Sequence, residues 1–464
     1  MKNIVILGGG TAGTLLANKL SRRLSPSAWR VTVVDRDTSH HYQPGYLFVP
    51  FGRRPVGRLT RDRRRLLPRS VVFKRDDALR VDPETRQVAL ASGEKLDWDR
   101  LVIATGTQIR PDAVEGMASG QLWGKSVFDF YTLEGASRLR QALSRFDGGR
   151  IVVHIAEMPI KCPVAPLEFA LLAQDWARKR GRLSTTDIAL VTPLDGPFTK
   201  PVASARLGEL FRQRGVEVVT DFQIERVDND RREIVSYDGR REPFDLLVTV
   251  PPNRGAKVIA NSGLGDESGF VATDRATGQS EAHPDIWVAG DATNMPTSKA
   301  GSVAHFQAEA LVPNLLAQID GQPPPARFDG HSNCFIESGR GQALLLDFNY
   351  GVEPLPGVFP LPQIGPFKLL APSAVNHWGK LAFEPVYWHI MVKGRPLPLG
   401  KDLSLAGKQL PANLSAAPQS PTGAPARPEP AASRPEPAAA RPTGAVPSTA
   451  AAPIPAPPKP NPET

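Results

Sequence analysis

The sequence predicts an α/β chain carrying two Rossmann-like dinucleotide-binding units, and three features lead there. A short apolar run at residues 3–7 ends in Gly8-x-Gly10-x-x-Gly13 and opens onto a helical pattern of Leu15, Leu16, Ala17 and Leu20. An apolar strand at 31–34 closes on Asp35, about twenty residues past the last glycine. A second strand–loop–helix–strand unit begins at Arg150 and repeats that order without the glycines. Strand, glycine turn, helix and strand form the opening unit of a doubly wound sheet.

The remaining elements follow in order. Mixed loops and strands lead to a strand at 101–104. The second unit has a strand at 150–155, a helix near 167–180 and strands at 187–191 and 246–250, and the strand at 285–289 returns to the first unit. Segment 333–348 alternates as one or two strands do. Segment 354–372 is apolar but proline-rich, so an ordered loop is expected. Segment 378–392 is aromatic and helix-like, with Pro385 placed to kink it or to start a second helix. Residues 411–464 contain repeated Arg-Pro-Glu-Pro-Ala pieces and almost no large apolar residues, so they are expected to be disordered. The division expected is 1–115 and 251–320 for the first domain, 116–250 for the second, 321–410 for a C-terminal region and 411–464 for the tail.

Composition narrows the class. At 464 residues the chain exceeds one core. Sixteen of its 47 prolines fall from Pro411 onward, which marks a biased tail rather than a proline-rich fold. Two cysteines exclude a disulfide framework and a four-cysteine zinc site, and no metal site is expected. No apolar run approaches the ~18–20 residues of a membrane span, and the first strand leaves no room for a cleavable signal peptide. A net charge of +9 permits anionic lipid, nucleic acid or an acidic partner and selects none. The basic run at 53–69 lacks interleaved aromatics, so it makes no case for nucleic acid and reads as a solvated loop. His40 and His41 lack metal-ligand spacing and read as pocket or structural residues.

Glycines 8, 10 and 13 let a backbone approach a pyrophosphate at a helix N-terminus, and Asp35 can accept a ribose hydroxyl. A strand ending in Ala104-Thr105-Gly106 and another ending in Gly290-Asp291 complete a set of three motifs in order. Over about residues 1–320 the chain thereby resembles the two-dinucleotide-domain, glutathione-reductase-like flavoproteins. That resemblance implies FAD, with Asp291 on its ribityl chain. A member using NADH should carry a second glycine fingerprint after the strand at 151–155. Here Ala156-Glu157-Met158-Pro159-Ile160-Lys161-Cys162-Pro163-Val164-Ala165-Pro166 stands instead, and three prolines remove N–H donors.

Cys162 follows Lys161, whose charge could favour the thiolate, and Cys334 lies just past the first domain. Two such cysteines alone also suit an inert core. Their settings, Ile160-Lys161-Cys162-Pro163-x-Ala165-Pro166 with Glu168, and Asn333-Cys334-Phe335, resemble the sulfide:quinone oxidoreductases. So do His41-Tyr42-Gln43-Pro44-Gly45 and the stretch from Asp291 through Lys299 to Gly301. The resemblance spans about residues 1–400. It implies a redox pair of Cys162 and Cys334 flanking the flavin, sulfide as donor and membrane quinone as acceptor. It also implies a monotopic protein at the membrane surface, on a side the sequence leaves open, and an oligomer is compatible with it. Many members carry a further upstream cysteine near a covalent flavin position. Residues 123–132 have none, so noncovalent FAD is expected. Histidines that some members place near the sulfur pocket are missing around 198–204, so proton handling falls to Glu168, which suits a structural helix role equally well. Lys299 and Lys380 are expected at the cofactor, Lys380 towards its quinone end. Phe335, Phe359 and Phe367 are candidates for the quinone pocket, and the aromatic segment at 378–392 suits a membrane-surface helix, a dimer contact or a helix packed on the core. Two other readings remain: a type II NADH:quinone oxidoreductase, and a non-catalytic flavin-containing scaffold.

Overall fold

Alternation along residues 4–7 points Ile4 and Ile6 to one face of a strand and Val5 and Leu7 to the other, and both faces are buried. In the computed structural model, which describes residues 1–361, 364–396 and 406–409, Lys2–Leu7 is the central strand of a five-stranded sheet. Its order is Ile286–Val288, Arg100–Ile103, Lys2–Leu7, Trp29–Asp35, Val71–Arg75, parallel throughout. Ile4, Ile6, Val31 and Val33 pack under Leu15, Leu16 and Leu20 of helix Thr11–Ser21 and Leu311 and Leu315 of helix Gly301–Ile319. Each such side chain contributes about 1.5–3 kcal/mol on burial. The opposite face, with Val5, Leu7, Leu101 and Ile103, packs against Val81, Val88 and Trp98.

A second five-stranded parallel sheet has the order Val127–Phe128, Leu246–Val250, Gly149–Ile155, Thr186–Val191, Glu217–Val219. Its central strand runs into a loop at 156–164 and then helix Ala165–Lys179, whose Pro166 sits in the first turn where no N–H is required. Beyond the helix Gly301–Ile319, Ser332–Gly339 and Gln342–Phe348 form an antiparallel hairpin. The expected loop at 354–372 adds two strands to it, Gly357–Phe359 and Phe367–Leu369. Its prolines flank these short pieces rather than interrupt them, as strand prolines must.

Ser373 caps helix Ala374–Val386 by accepting the Asn376 N–H at 3.1 Å. Pro385 lies in its last turn, and a π-helical turn, Tyr387–Met391, follows at once. This aromatic segment divides in two. Tyr387, Trp388 and Met391 are buried, Tyr387 against Tyr42 with ring centroids 4.9 Å apart, whereas Trp378 and Val375 stay exposed. The basic run is solvated only in part. Arg63 is buried and ion-paired to Asp35 at 2.6 Å, Arg53 pairs with buried Asp175 at 3.0 Å, and the Arg61 guanidinium lies 4.5 Å from the Trp388 ring centroid. Arg53, Arg61 and Arg63 thus act as internal staples, which alternation and net charge cannot reveal, whereas Arg58, Arg64, Arg65 and Arg69 are exposed. The proline-rich residues 411–464 and the disorder expected of them lie outside the described residues.

Candidate active site

The three fingerprint glycines have different physical reasons. Gly8 has φ +93°, and a Cβ there would stand 2.5 Å from the Ala104 carbonyl oxygen, so two loops meet across it. A Cβ on Gly13 would overlap the Gly8 carbonyl, so this glycine serves helix packing and does not face the cavity. Gly10 has φ −71° and ψ −158°, which suit any residue, and a Cβ there would meet no protein atom within 4 Å. It would project into a cavity of about 710 Å³ lined by both sheets' loops. No side chain caps this helix start, so its first N–H groups remain available to an anion.

That cavity brings Gly8, Gly10, Asp35, Ala104, Thr105, Gly106, Gly290 and Asp291 to one surface. Asp35 accepts the Gly9 N–H at 2.7 Å and the Asp37 N–H at 2.9 Å besides its Arg63 pair. A carboxylate has about four acceptor positions, so one is left for a hydroxyl. Asp291 has no protein hydrogen bond to its carboxylate among the described residues, and burial pushes its pKa up against Lys299 and Lys161. Thr105 Oγ1 is buried and unpartnered. An open glycine at an uncapped helix start, an acceptor at the strand end and an unpartnered carboxylate fit FAD. Gly10 would hold its pyrophosphate, Asp35 a ribose hydroxyl and Asp291 the ribityl hydroxyls. Lys299 also borders the cavity, but its ammonium donates to the carbonyls of Asp291 and Thr293 at 2.9 and 2.8 Å and lies 3.8 Å from the Phe270 ring centroid. It therefore braces the Gly-Asp loop.

Cys162 and Cys334, far apart in sequence, line the same cavity as free thiols. Cys162 takes φ +49°, a left-handed conformation costing roughly 1–2 kcal/mol in a non-glycine residue. Three bonds hold it there: its N–H to the Lys299 carbonyl (2.7 Å), and its own carbonyl accepting Ala165 N–H (2.9 Å) and Tyr131 O–H (3.0 Å). In the same loop Ala156 and Lys161 donate their N–H groups to Val250 and Asn253. With three prolines beside them, few donors are left for a second pyrophosphate.

Burial pushes the Cys162 thiol up to about 12, reinforced by Glu168 and opposed chiefly by Lys380; it pushes Cys334 up further. The cation acting most on the Cys162 thiolate is thus Lys380. Lys161 instead lies 5.6 Å from the Tyr131 ring centroid. Glu168 is buried, lines the cavity and accepts from Lys380 Nζ and from the Glu337 N–H at 3.0 Å. Burial raises its pKa to about 7 in spite of Lys380. Burial also opposes the Lys380 ammonium, but Glu168 and Glu337 outweigh it and hold its pKa above the ordinary value.

Of the aromatic candidates only Phe335 reaches the cavity, joined by Phe383 and Tyr387. Phe367 stands behind Phe335, ring centroids 5.6 Å apart, and Phe359 packs into a small core with Leu345 and Leu369. All three phenylalanines share one face of that sheet, and only Phe335, on the first strand of the hairpin, reaches the cavity. Tyr131, within residues 123–132, also lines the cavity and carries no signal in the sequence. Sequence reasoning also missed the clamp in which buried His40 Nε2 meets Tyr387 Oη at 2.7 Å while Tyr387 Oη meets Thr11 Oγ1 at 2.8 Å. This fastens the C-terminal segment to the glycine loop, and the His40-His41-Tyr42 cluster was its only signal.

The chain is 26% identical to the mitochondrial sulfide:quinone oxidoreductase of Mus musculus over 398 residues, covering 84% of this chain and 86% of the relative. It is 26% identical to the sulfide-quinone reductase of Aquifex aeolicus over 344 residues, covering 69% and 78%. The solved structure of the Aquifex aeolicus sulfide:quinone oxidoreductase superposes with a TM-score of 0.71 at 19% identity, over 85% of this chain and 92% of that one. Residues 2–309 match the family described as pyridine nucleotide-disulphide oxidoreductase. That match covers more than half of the sequence, and the chain belongs to the pyridine nucleotide-disulphide oxidoreductase family.

Proposed function

We propose that this protein oxidises sulfide through Cys162 and Cys334 and delivers the two electrons to a membrane quinone. The observation that carries the reading is the convergence of both cysteines, Glu168 and Lys380 on the cavity that fits FAD. The relatives named for sulfide and quinone point the same way. When bound, FAD supplies a two-electron acceptor for sulfur and a donor for quinone.

The chain's own residues do the rest. In the oxidised state the two cysteines form a disulfide or sulfur bridge. Hydrosulfide attacks one sulfur, forming a new S–S bond, and the other cysteine leaves as a thiolate. Either cysteine can take the attack, and the persulfide forms on the one attacked while the other is released. Lys380 favours the released thiolate, and Glu168 takes the proton of the incoming sulfur. Repetition lengthens the chain to polysulfide. Quinone meets Phe335 and Phe383 beside Lys380. The exposed Trp378, Val375, Leu361 and Ile364, with exposed Lys368 near them, seat the protein peripherally on a lipid surface. Among the described residues no helix is long and apolar enough to cross a membrane.

The test is an anaerobic titration of bound flavin with sulfide and, separately, with NADH. Bleaching by sulfide alone, reversed by a soluble quinone, is expected. Bleaching by NADH alone would overturn the reading in favour of a nucleotide donor, and bleaching by neither would leave a scaffold.

A further inference from the structure

Behind the sulfur pocket lies a second acidic side chain. Glu337, on strand Ser332–Gly339, is fully buried, and its two carboxylate oxygens stand 2.8 and 3.0 Å from His377 Nδ1. Its N–H is the one that donates to Glu168 Oε2 at 3.0 Å. His377 and Lys380 are neighbours on one face of helix Ala374–Val386, so Lys380 meets Glu168 while His377 meets Glu337. The ammonium is electrostatically coupled to both carboxylates and to Cys162. Glu168 borders the cavity, whereas Glu337 and His377 do not. His377 is partly exposed and follows the buried Asn376 on a turn that also carries exposed Val375 and Trp378.

Two buried carboxylates this near each other are costly unless cations or protons are shared among them. Here they stand in a row from the thiols to the surface, one with a lysine and one with a histidine. We propose that the Glu337–His377 pair carries to the surface the proton that Glu168 takes from hydrosulfide. The inference rests on the reading of Glu168 as the base of the sulfur pocket. Hydrosulfide loses two electrons and one proton on becoming sulfane sulfur. The electrons reach quinone, which takes two protons to become quinol. The sulfur-side proton sits on Glu168, which is 1% exposed, and must leave before the next hydrosulfide reacts. Lys380 bonds the Glu168 carboxylate, the Glu337 N–H bonds that same carboxylate, and the Glu337 side chain meets His377, so these groups offer the exit away from the filled cavity. His377 touches neither the thiols nor the cofactor cavity and is a positioning residue for proton release.

The test uses the flavin-loaded full chain, with stopped-flow sulfide reduction followed over several turnovers with soluble quinone. His377→Ala should keep its flavin content and slow turnover at least about 10-fold, below the ~10²–10⁴ of a group that transfers the proton directly. Free imidazole should restore it, since a small base can occupy the vacated place. His377→Gln, which keeps a donor for Glu337 but cannot relay a proton, should be as slow as His377→Ala and show a larger solvent deuterium isotope effect than the wild type. Wild-type turnover in either variant would overturn the relay. So would slow turnover that imidazole leaves unchanged, which marks a purely structural pin. A wild-type protein that sulfide does not bleach would overturn the sulfide reading itself, an outcome separate from any variant.

Discussion

Replacing Gly10 by serine separates what the glycine does for the fold from what it does for the cofactor. The backbone at Gly10 is open to any residue, and its missing Cβ faces only the cavity. Gly10 is the N-cap of helix Thr11–Ser21, where serine is favoured over glycine by a few tenths of a kcal/mol because its hydroxyl accepts one of the first free N–H groups. The apoprotein of Gly10→Ser should therefore melt at or slightly above the wild-type temperature. The same hydroxyl competes with the pyrophosphate for those N–H groups. Losing one hydrogen bond to a charged group costs about 1.5–3 kcal/mol, so Kd for FAD should rise about 10- to 150-fold. Gly8→Ala is the contrast, because φ +93° and a carbonyl 2.5 Å from the new Cβ should destabilise the apoprotein itself, by about 1–3 kcal/mol for the backbone alone. The assay is FAD titration of apoprotein followed by flavin fluorescence, with thermal melts of the apo forms. Wild-type FAD affinity in Gly10→Ser, or an apo melting temperature as depressed as that of Gly8→Ala, would refute the assignment of Gly10 to the pyrophosphate.

Three further outcomes are expected. Cys162→Ser and Cys334→Ser should each abolish bleaching of the flavin by sulfide while FAD stays bound, and full activity in either would contradict the paired mechanism. Glu168 has its pKa raised to about 7 chiefly by burial, so its basic form accumulates as pH rises through that value. The wild-type rate relative to Glu168→Gln should climb across this range to a plateau of ~10²–10⁴, and a ratio independent of pH would remove Glu168 as the base. Replacing exposed Trp378 and Ile364 together by serine removes apolar area worth on the order of 2 kcal/mol or more, so co-sedimentation with liposomes should fall at least about 10-fold. Turnover with a water-soluble quinone should stay unchanged, and undiminished liposome binding would place the lipid contact elsewhere.

Parts of the site were legible because their chemistry is local. A glycine loop, a strand-end acid and a Gly-Asp strand end each depend on a few consecutive residues, and all of them line one cavity. The cysteine settings were legible only through their resemblance to the sulfide:quinone oxidoreductases, since two such cysteines alone also suit an inert core. The environment of those cysteines was not. Lys161 is next to Cys162 in sequence, yet Lys380 is the cation that acts on the thiol most, because helix Ala374–Val386 crosses behind the pocket. The aromatic segment suits a lipid-facing or a core-packed helix, and its second half closes on His40 and Tyr42. Helical periodicity shows that a face is apolar and says nothing about which surface covers it.

By itself, then, the sequence determined the parallel sheet around Lys2–Leu7, the dinucleotide loop and the loss of glycines from the second unit. These follow from hydrogen-bonding, steric and periodic rules that act over a few residues. Tertiary structure alone decided that Glu168 pairs with Lys380, that Arg63 is an internal partner of Asp35, that Phe359 is core rather than pocket, and that Glu337 and His377 stand behind the thiols. Each of these depends on which distant segments exclude water from one another. Desolvation sets the protonation of a buried carboxyl or thiol, and no reading of neighbours in the chain supplies it.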